Sequence, residues 1–159
     1  MREPPAGQPA GTITILSLSA VEGDHSVLEQ IFRDSSLTLY PNCRVALRRS
    51  PTLASALAAV RDCRIPIVVC DRDGQSEAWR KILQATKGFS APPCVIVTSR
   101  LADDRLWAEV LNDGAFDLLS KPFDKSDVIR IVHSAWVRWQ NRYGLTDAAG
   151  KFEEPSTGT

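Results

Sequence analysis

Residues 114–123 read Gly-Ala-Phe-Asp-Leu-Leu-Ser-Lys-Pro-Phe, and this stretch decides the fold. Its apolar centre predicts a strand, and Lys121 lies just beyond the end of that strand. Two earlier apolar runs also end in side chains able to take part in chemistry, the carboxylate of Asp71 and the hydroxyl of Thr98. Because the carboxyl ends of parallel strands share one crevice, we expect Asp71, Thr98 and Lys121 to lie close together.

Strand and helix patterns alternate five times along the chain. One apolar run, over 65–70, shows no polar alternation, which is typical of a central strand covered on both faces. The pattern predicts an α/β fold of the flavodoxin-like (βα)5 type, a three-layer sandwich around a parallel five-stranded sheet of order 2-1-3-4-5. The predicted strands cover 13–18, 43–47, 65–70, 94–97 and 116–119.

Capping residues and apolar spacing predict where the helices begin. The first helix is expected near Ser26, and Ser50 before Pro51 is expected to cap the second. Asp124 with Asp127 predicts a capped start for the fifth helix, which is expected to run through Arg142.

Length and composition favour one domain, over 12–144, with flexible tails over 1–11 and 145–159. On this length we expect no separate output domain. Lysine plus arginine and aspartate plus glutamate each total 19, so the net charge is zero, and no basic tract predicts a nucleic-acid partner. The apolar runs are strand-sized and the start is polar, so we expect a cytoplasmic protein without a membrane segment.

Four cysteines, Cys43, Cys63, Cys70 and Cys94, show no CxxC spacing, and the chain has only two histidines. A zinc-type site of cysteine and histidine is therefore not expected. We expect buried, reduced thiols instead, because free cysteine behaves as a small hydrophobic residue.

From 13 to about 142, the chain resembles the receiver domain of bacterial two-component response regulators. The resemblance is carried by 93–100 together with 114–123, and by the spacing from Thr98 to Lys121. It implies that Asp71 accepts a phosphoryl group from a histidine kinase. It also implies that the peptide bond before Pro122 is often cis.

The resemblance also implies a role for each crevice residue. Asp71 would be a carboxylate nucleophile that forms an aspartyl phosphate. The phosphoryl group brings roughly 1.5 to 2 negative charges, which Lys121 would offset while Thr98 donates a hydroxyl and draws its loop inward. Asp73 is a rival acceptor two residues further on, although the resemblance instead assigns its backbone carbonyl to a metal ion.

The chain departs from the receiver pattern at three places: Ser19-Ala20, Leu118, and the loop over 72–76, which lacks the proline common there. Ser19-Ala20 stands where receivers carry the adjacent acidic pair that holds Mg²⁺, so we expect at most weak Mg²⁺ binding at Asp71 and the Asp73 carbonyl. Glu22 and Asp24 lie close enough in sequence to supply a substitute carboxylate. Leu118 occupies the place of the usual aromatic switch residue.

Three classes of function remain open from the sequence. The first is an atypical stand-alone response regulator that binds its kinase and partner, or a second copy of itself through the face of helix four, strand five and helix five. The second is a pseudo-receiver that serves as an interaction scaffold without phosphorylation. A nucleotide-binding enzyme is disfavoured, because the loop after the first strand has a single glycine.

The tryptophans in the last two helices bear on the predicted interaction face. We expect Trp107 and Trp136 to pack in the core. Trp139 lies among charged and polar residues, so we expect it to be partly exposed, where an aromatic ring favours protein contacts.

Overall fold

The structure, a computed structural model, describes residues 11–34, 43–74 and 76–144. The predicted tails lie outside these residues, apart from Gly11, which begins the first strand. Strands and α-helices alternate from the first element to the last, followed by a π-helical turn at Gln140–Gly144. The elements are β1 Gly11–Leu18, α1 Glu22–Asp34, β2 Cys43–Ser50, α2 Leu53–Asp62, β3 Ile67–Asp71, α3 Ala78–Thr86, β4 Cys94–Ser99, α4 Asp104–Asn112, β5 Asp117–Ser120 and α5 Lys125–Trp139.

The five strands form one parallel sheet in the order β2-β1-β3-β4-β5. This confirms the predicted (βα)5 fold and its strand order. β3 is buried at every position, as expected for a central strand covered on both faces. Its last residue, Asp71, is in register with Thr98 at the end of β4, so the sheet itself sets these two side chains next to each other.

Alternate residues of the strands feed two separate apolar layers. Ile67 and Val69 pack with α1 and α5 on one face of the sheet, whereas Val68 and Cys70 pack with α2, α3 and α4 on the other. The period of two along a strand produces this division. Helices therefore cover both faces, which leaves the strand ends as the places where polar side chains collect.

Two predicted helix starts were wrong. α1 begins at Glu22 rather than near Ser26, because its first turn is acidic and contributes nothing to the apolar stripe by which the helix was recognised. Thr52, not Ser50, caps α2, since its side chain accepts the amide of Ser55. The predicted cap of α5 is confirmed, because the carboxylate of Asp124 accepts the amide of Asp127.

The expected burial of the tryptophans was wrong at two of three positions. Trp136 is buried as predicted, but Trp139 is only 4% exposed and Trp107 is 48% exposed. Trp139 stacks on Trp136 with 5.7 Å between ring centroids, and its indole Nε1 donates to the Pro92 carbonyl at 3.1 Å. The prediction for Trp139 relied on its polar sequence neighbours, which do not indicate that its own ring points inward.

The cysteines only partly follow the expectation of buried thiols. Cys70 is buried and Cys94 is half-buried, but Cys63 is exposed in the turn after α2, where its Sγ accepts from Arg48 at 3.1 Å. All three are free thiols. The side chain of Cys43 lies outside the described part of the chain.

Candidate functional site

The carboxyl ends of the strands form a crevice that brings Asp71, Thr98 and Lys121 together. The Lys121 Nζ lies 2.7 Å from Asp71 Oδ1, and the Thr98 hydroxyl donates to the same oxygen at 3.4 Å. Asp71 is 5% exposed and the Lys121 side chain is 9% exposed, so the pair is largely removed from water. The peptide bond between Lys121 and Pro122 is cis, as the resemblance implied.

Lys121 is shared by three carboxylates. Besides Asp71, its Nζ lies 3.0 Å from Asp24 Oδ2 and 3.6 Å from Asp73 Oδ2. Burial alone would lower the pKa of Lys121, but the hydrogen bonds and charges of Asp71 and Asp24 outweigh it, so this pKa lies above its usual range. The ammonium is therefore firmly charged in the folded protein.

Asp73 connects two loops. Its Oδ1 accepts the Ser99 hydroxyl at 2.8 Å and its Oδ2 accepts the Arg100 amide at 3.0 Å, which ties the loop after β3 to the loop after β4. Burial opposes ionisation here, but these hydrogen bonds and the charges of Lys121 and Arg100 hold the pKa of Asp73 below its usual range. This use of the Asp73 side chain was missed by the sequence analysis.

The acidic residue that joins the crevice from the start of α1 is Asp24. The Ser19 hydroxyl donates to Asp24 Oδ2 at 2.7 Å, so Ser19 orients the carboxylate that faces Lys121. Glu22 instead pairs with Arg49 on β2, and its side chain is 69% exposed. Of the two carboxylates that the sequence left open, the structure brings only Asp24 to Asp71.

A buried histidine supports this corner of the crevice and was also missed. His25 is 1% exposed; its Nε2 donates to the Ser19 carbonyl at 3.0 Å, and its Nδ1 lies 2.8 Å from the Ser17 hydroxyl. The ring thereby holds the turn between β1 and α1 against the end of β1. His25 lies in the first turn of α1, which we had expected to begin near Ser26. A correct helix start would have indicated that His25 lies beside the end of β1.

The donor atoms of the crevice do not fit Mg²⁺ as they are arranged. A hard divalent cation needs several oxygen ligands, yet the oxygens of Asp24 and Asp71 that converge here face the Lys121 ammonium. The side chain of Asp73 is committed to the loop after β4. Within residues 11–34, 43–74 and 76–144, no cluster of three histidine, cysteine or carboxylate side chains suits a metal ion.

The crevice opens into a cavity of about 680 Å³ with a mixed lining. Val21, Val27 and Phe123 supply apolar walls, and the cations that line it are Lys121 and Arg100. Its position at the strand ends is where open α/β sheets bind their ligands. Chemically, the site offers a buried carboxylate oxygen beside one ammonium and one hydroxyl donor.

Comparison with known proteins supports the fold. A scan against models of protein families finds no match. The transcriptional regulatory protein TdiR of Thauera aromatica is 29% identical over 109 residues, which cover 67% of this chain and 47% of that protein. The chain thus spans about half the length of this curated relative.

Solved structures of similar shape are receiver domains and response regulators. A response regulator receiver domain protein from Clostridium thermocellum has a TM-score of 0.62 at 17% identity, over 81% of this chain and 98% of its own. The chemotaxis protein CheY4 of Vibrio cholerae has a TM-score of 0.61 at 12% identity, over 78% and 98%. The signal receiver domain of a DNA-binding response regulator from Colwellia psychrerythraea has a TM-score of 0.62 at 15% identity, over 77% and 96%.

These structures share the fold of the described chain, which is that of receiver domains. The agreement spans almost the whole length of each solved receiver. In the described residues, no helix has the length and apolar character that crossing a bilayer requires.

Proposed function

We propose that this chain is an atypical receiver in two-component signalling, with Asp71 as phosphoacceptor and with output through protein contacts. One observation carries the proposal: the carboxylate at the end of β3 meets both a lysine from the end of β5 and a hydroxyl from the end of β4. An aspartate, a lysine or a threonine at a strand end does not by itself indicate this function. Their convergence on Asp71 Oδ1 places a carboxylate nucleophile beside a cation and a hydroxyl donor, which can offset the charge of a phosphoryl group.

In this proposal, Asp71 attacks the phosphorus of a phosphorylated histidine of a kinase, or of acetyl phosphate. The new bond joins the carboxylate oxygen to phosphorus, and the electrons of the broken bond leave with the imidazole or acetate. Lys121 then pairs with a phosphoryl oxygen while Asp24 keeps its ammonium in place. Thr98 turns its hydroxyl from Asp71 to the phosphoryl group.

Charge sets the expected rate. Asp24, Asp71 and Asp73 surround one ammonium, and the phosphoryl group adds roughly 1.5 to 2 negative charges. At an effective dielectric near 20, each unit charge pair at about 4 Å is worth on the order of 4 kcal/mol before desolvation. We therefore expect transfer to be slow compared with an ordinary receiver.

A second candidate function, a scaffold that needs no phosphorylation, is favoured by the loop after β4. In a switching receiver, the hydroxyl of the threonine moves inward once the phosphoryl group is present. Here the Thr98 hydroxyl already lies 3.4 Å from Asp71, and Asp73 already ties Ser99 and Arg100 to the crevice. Both contacts favour a face of α4, β5 and α5 whose conformation is the same with and without phosphorylation.

That face is our proposed output surface, for a signalling partner or for a second copy of the chain. Leu101 is 72% exposed just before α4, and Trp107 is 48% exposed within it. Exposed aromatic rings of this kind favour protein contacts. The same face serves both candidate functions, which differ only in whether phosphorylation controls it.

The test is intact-mass analysis of the protein after incubation with acetyl phosphate, with and without Mg²⁺. We expect a gain of one phosphoryl group in wild type and in Asp73→Asn, and none in Asp71→Asn. No gain in wild type, under conditions that modify an ordinary receiver, contradicts phosphorylation by small-molecule donors and leaves the scaffold. A gain that persists in Asp71→Asn contradicts the assignment of the acceptor.

The output surface is tested by sedimentation velocity on the same samples. For a scaffold that forms a homodimer, we expect a concentration-dependent dimer in both unmodified and phosphorylated protein, and its weakening by Trp107→Ala. Lys81→Ala, at an exposed position on α3 outside this face, is the control and should leave the dimer unchanged. A dimer that forms only after phosphorylation contradicts the scaffold and supports the switch.

A further inference from the structure

A second cavity, of about 830 Å³, lies at the opposite end of the sheet from the crevice. It is bordered by the residues just before β4 and β5, by the end of α3 and by the end of α5. We call it the basal cleft and define it by Leu83, Lys87, Ala115, Arg138, Trp139 and Arg142. Its volume falls within the range of about 300 to 1,000 Å³ that is usual for ligand pockets.

Three of the four cations that line the basal cleft have no carboxylate partner among the described residues. Arg80, on the same cleft, is paired with Glu77, Glu109 and Asp113. By contrast, Lys87, Arg138 and Arg142 have no carboxylate within ion-pair distance among the described residues. The cleft therefore combines an excess of cations with an apolar and aromatic lining.

Arg138 and Arg142 lie near other residues of the cavity lining. The Arg138 guanidinium lies 6.0 Å from the centroid of the Phe116 ring, which also lines the cavity. Burial raises the pKa of the Cys94 thiol to about 11, and the nearby charges of Arg138 and Arg142 oppose that rise. An anionic group with an apolar part would meet complementary chemistry here.

The sequence supplies such a group close by. The described chain ends at Gly144, immediately after Tyr143, which lines the cleft. Residues 145–159 follow, and they contain an aromatic residue directly before two acidic ones, Phe152-Glu153-Glu154. The eight residue-to-residue steps from Gly144 to Phe152 span at most about 26 to 29 Å when extended, which is ample for a cavity that begins at Tyr143.

We propose that residues 145–159 bind back into the basal cleft of the same molecule, with Phe152 against its apolar lining and Glu153 and Glu154 beside its cations. A short tether gives an effective concentration in the millimolar range, so weak contacts are enough to fill the cleft. This inference does not depend on phosphorylation of Asp71. A second copy of the chain is the rival occupant.

The experiment follows the Trp139 indole by two-dimensional ¹H–¹⁵N NMR of the full chain. Its Nε1 donates to Pro92 at the cleft, so its resonance reports on the occupant. We expect the triple variant Phe152→Ala, Glu153→Gln, Glu154→Gln to shift this resonance and those of neighbouring cleft amides. The double variant Arg138→Gln, Arg142→Gln is expected to release the tail as well.

Matched controls separate this effect from general changes in charge. Ser156→Ala with Thr157→Ala alters the same tail outside the proposed motif, and Lys125→Gln removes one positive charge at the other end of α5. Neither is expected to move the Trp139 resonance. Raising the salt from 0.1 to 1 M shortens the screening length from about 10 Å to about 3 Å, and should move wild type towards the triple variant.

Two outcomes would overturn the proposal. Cleft resonances that are identical in wild type and in the triple tail variant would show that the tail is not bound there. A difference between wild type and the triple variant that grows with protein concentration would assign the cleft to a second copy of the chain. A difference that does not depend on protein concentration supports binding within one molecule.

Discussion

Different interactions stabilise the structure at the two ends of the sheet. At the carboxyl end, one buried ammonium is shared by Asp24, Asp71 and Asp73, so charge and hydrogen bonding fix the geometry. At the amino end, Trp139 packs against neighbouring rings, while Lys87, Arg138 and Arg142 at the cleft lack carboxylate partners in the described chain. The same sheet thus ends in a site whose ammonium is paired and in a cleft where three cations are not.

The largest effect is expected from the aromatic packing of the basal cleft. Trp139→Ala should lower the free energy of unfolding by about 4 kcal/mol, because it removes a buried indole that stacks on Trp136 and contacts Tyr143. Urea unfolding measures the change. Trp107→Ala, at an exposed indole, is the matched control and should cost far less; equal losses would contradict the contrast in burial.

Next comes the ammonium of the crevice. Lys121→Met should lower the free energy of unfolding by about 3 kcal/mol, because it leaves the buried carboxylate of Asp71 without its cation. Lys125→Met, at an exposed position on α5, is the control. A loss below that of the control would show that the three carboxylates do not depend on Lys121.

The same pair gives a pH dependence of defined sign. Because the pKa of Lys121 is raised in the folded protein, its stabilisation is complete below the ordinary lysine pKa of about 10.4 and is lost as the pH rises through the folded pKa. The difference between wild type and Lys121→Met should therefore be constant near neutral pH and shrink only in strong alkali.

A smaller effect on the free energy of unfolding is expected at Asp73, which connects the loops after β3 and β4. Asp73→Asn should cost about 2 kcal/mol, because it weakens charge-assisted hydrogen bonds to Ser99 and Arg100. The pKa of Asp73 is lowered, so its stabilisation is present above about pH 3.9 and is lost as the pH falls through the folded pKa. A difference from wild type that persists unchanged at lower pH would contradict this account.

The smallest effect is expected from the unpaired cations. Arg142→Met should change the free energy of unfolding by no more than about 0.5 kcal/mol, because Arg142 is exposed and has no carboxylate partner in the described residues. A loss comparable to that of Lys121→Met would show that the cleft, too, depends on its charges. The contrast between the two ends of the sheet would then fail.

Sequence patterns predicted the parts of the molecule that follow from periodicity. The alternating elements predicted the sheet order, and the common edge of parallel strands predicted that Asp71, Thr98 and Lys121 would meet. The start of α1 at Glu22 was not predicted, because an acidic first turn lies outside the apolar stripe. The sequence therefore left Glu22 and Asp24 as alternatives, and it did not predict that Asp24 pairs with Lys121.

Contacts between loops could not be predicted from the sequence, for a different reason. The bond from Ser99 to Asp73 depends on how two turns approach each other, and no local spacing encodes that distance. The exposure of the tryptophans was misjudged for a related reason. Trp139 has polar sequence neighbours, yet its own ring points to Trp136 on the preceding turn of α5.

The uneven burial of the tryptophans also gives the protein its own optical reporters. Trp79 lies in one apolar layer and Trp136 with Trp139 in the other, whereas Trp107 is 48% exposed on α4. A water-soluble quencher such as iodide should therefore reach the emission of Trp107 first. The outer face of α4 can then be followed by quenching alone, without an attached dye, whenever a partner covers it.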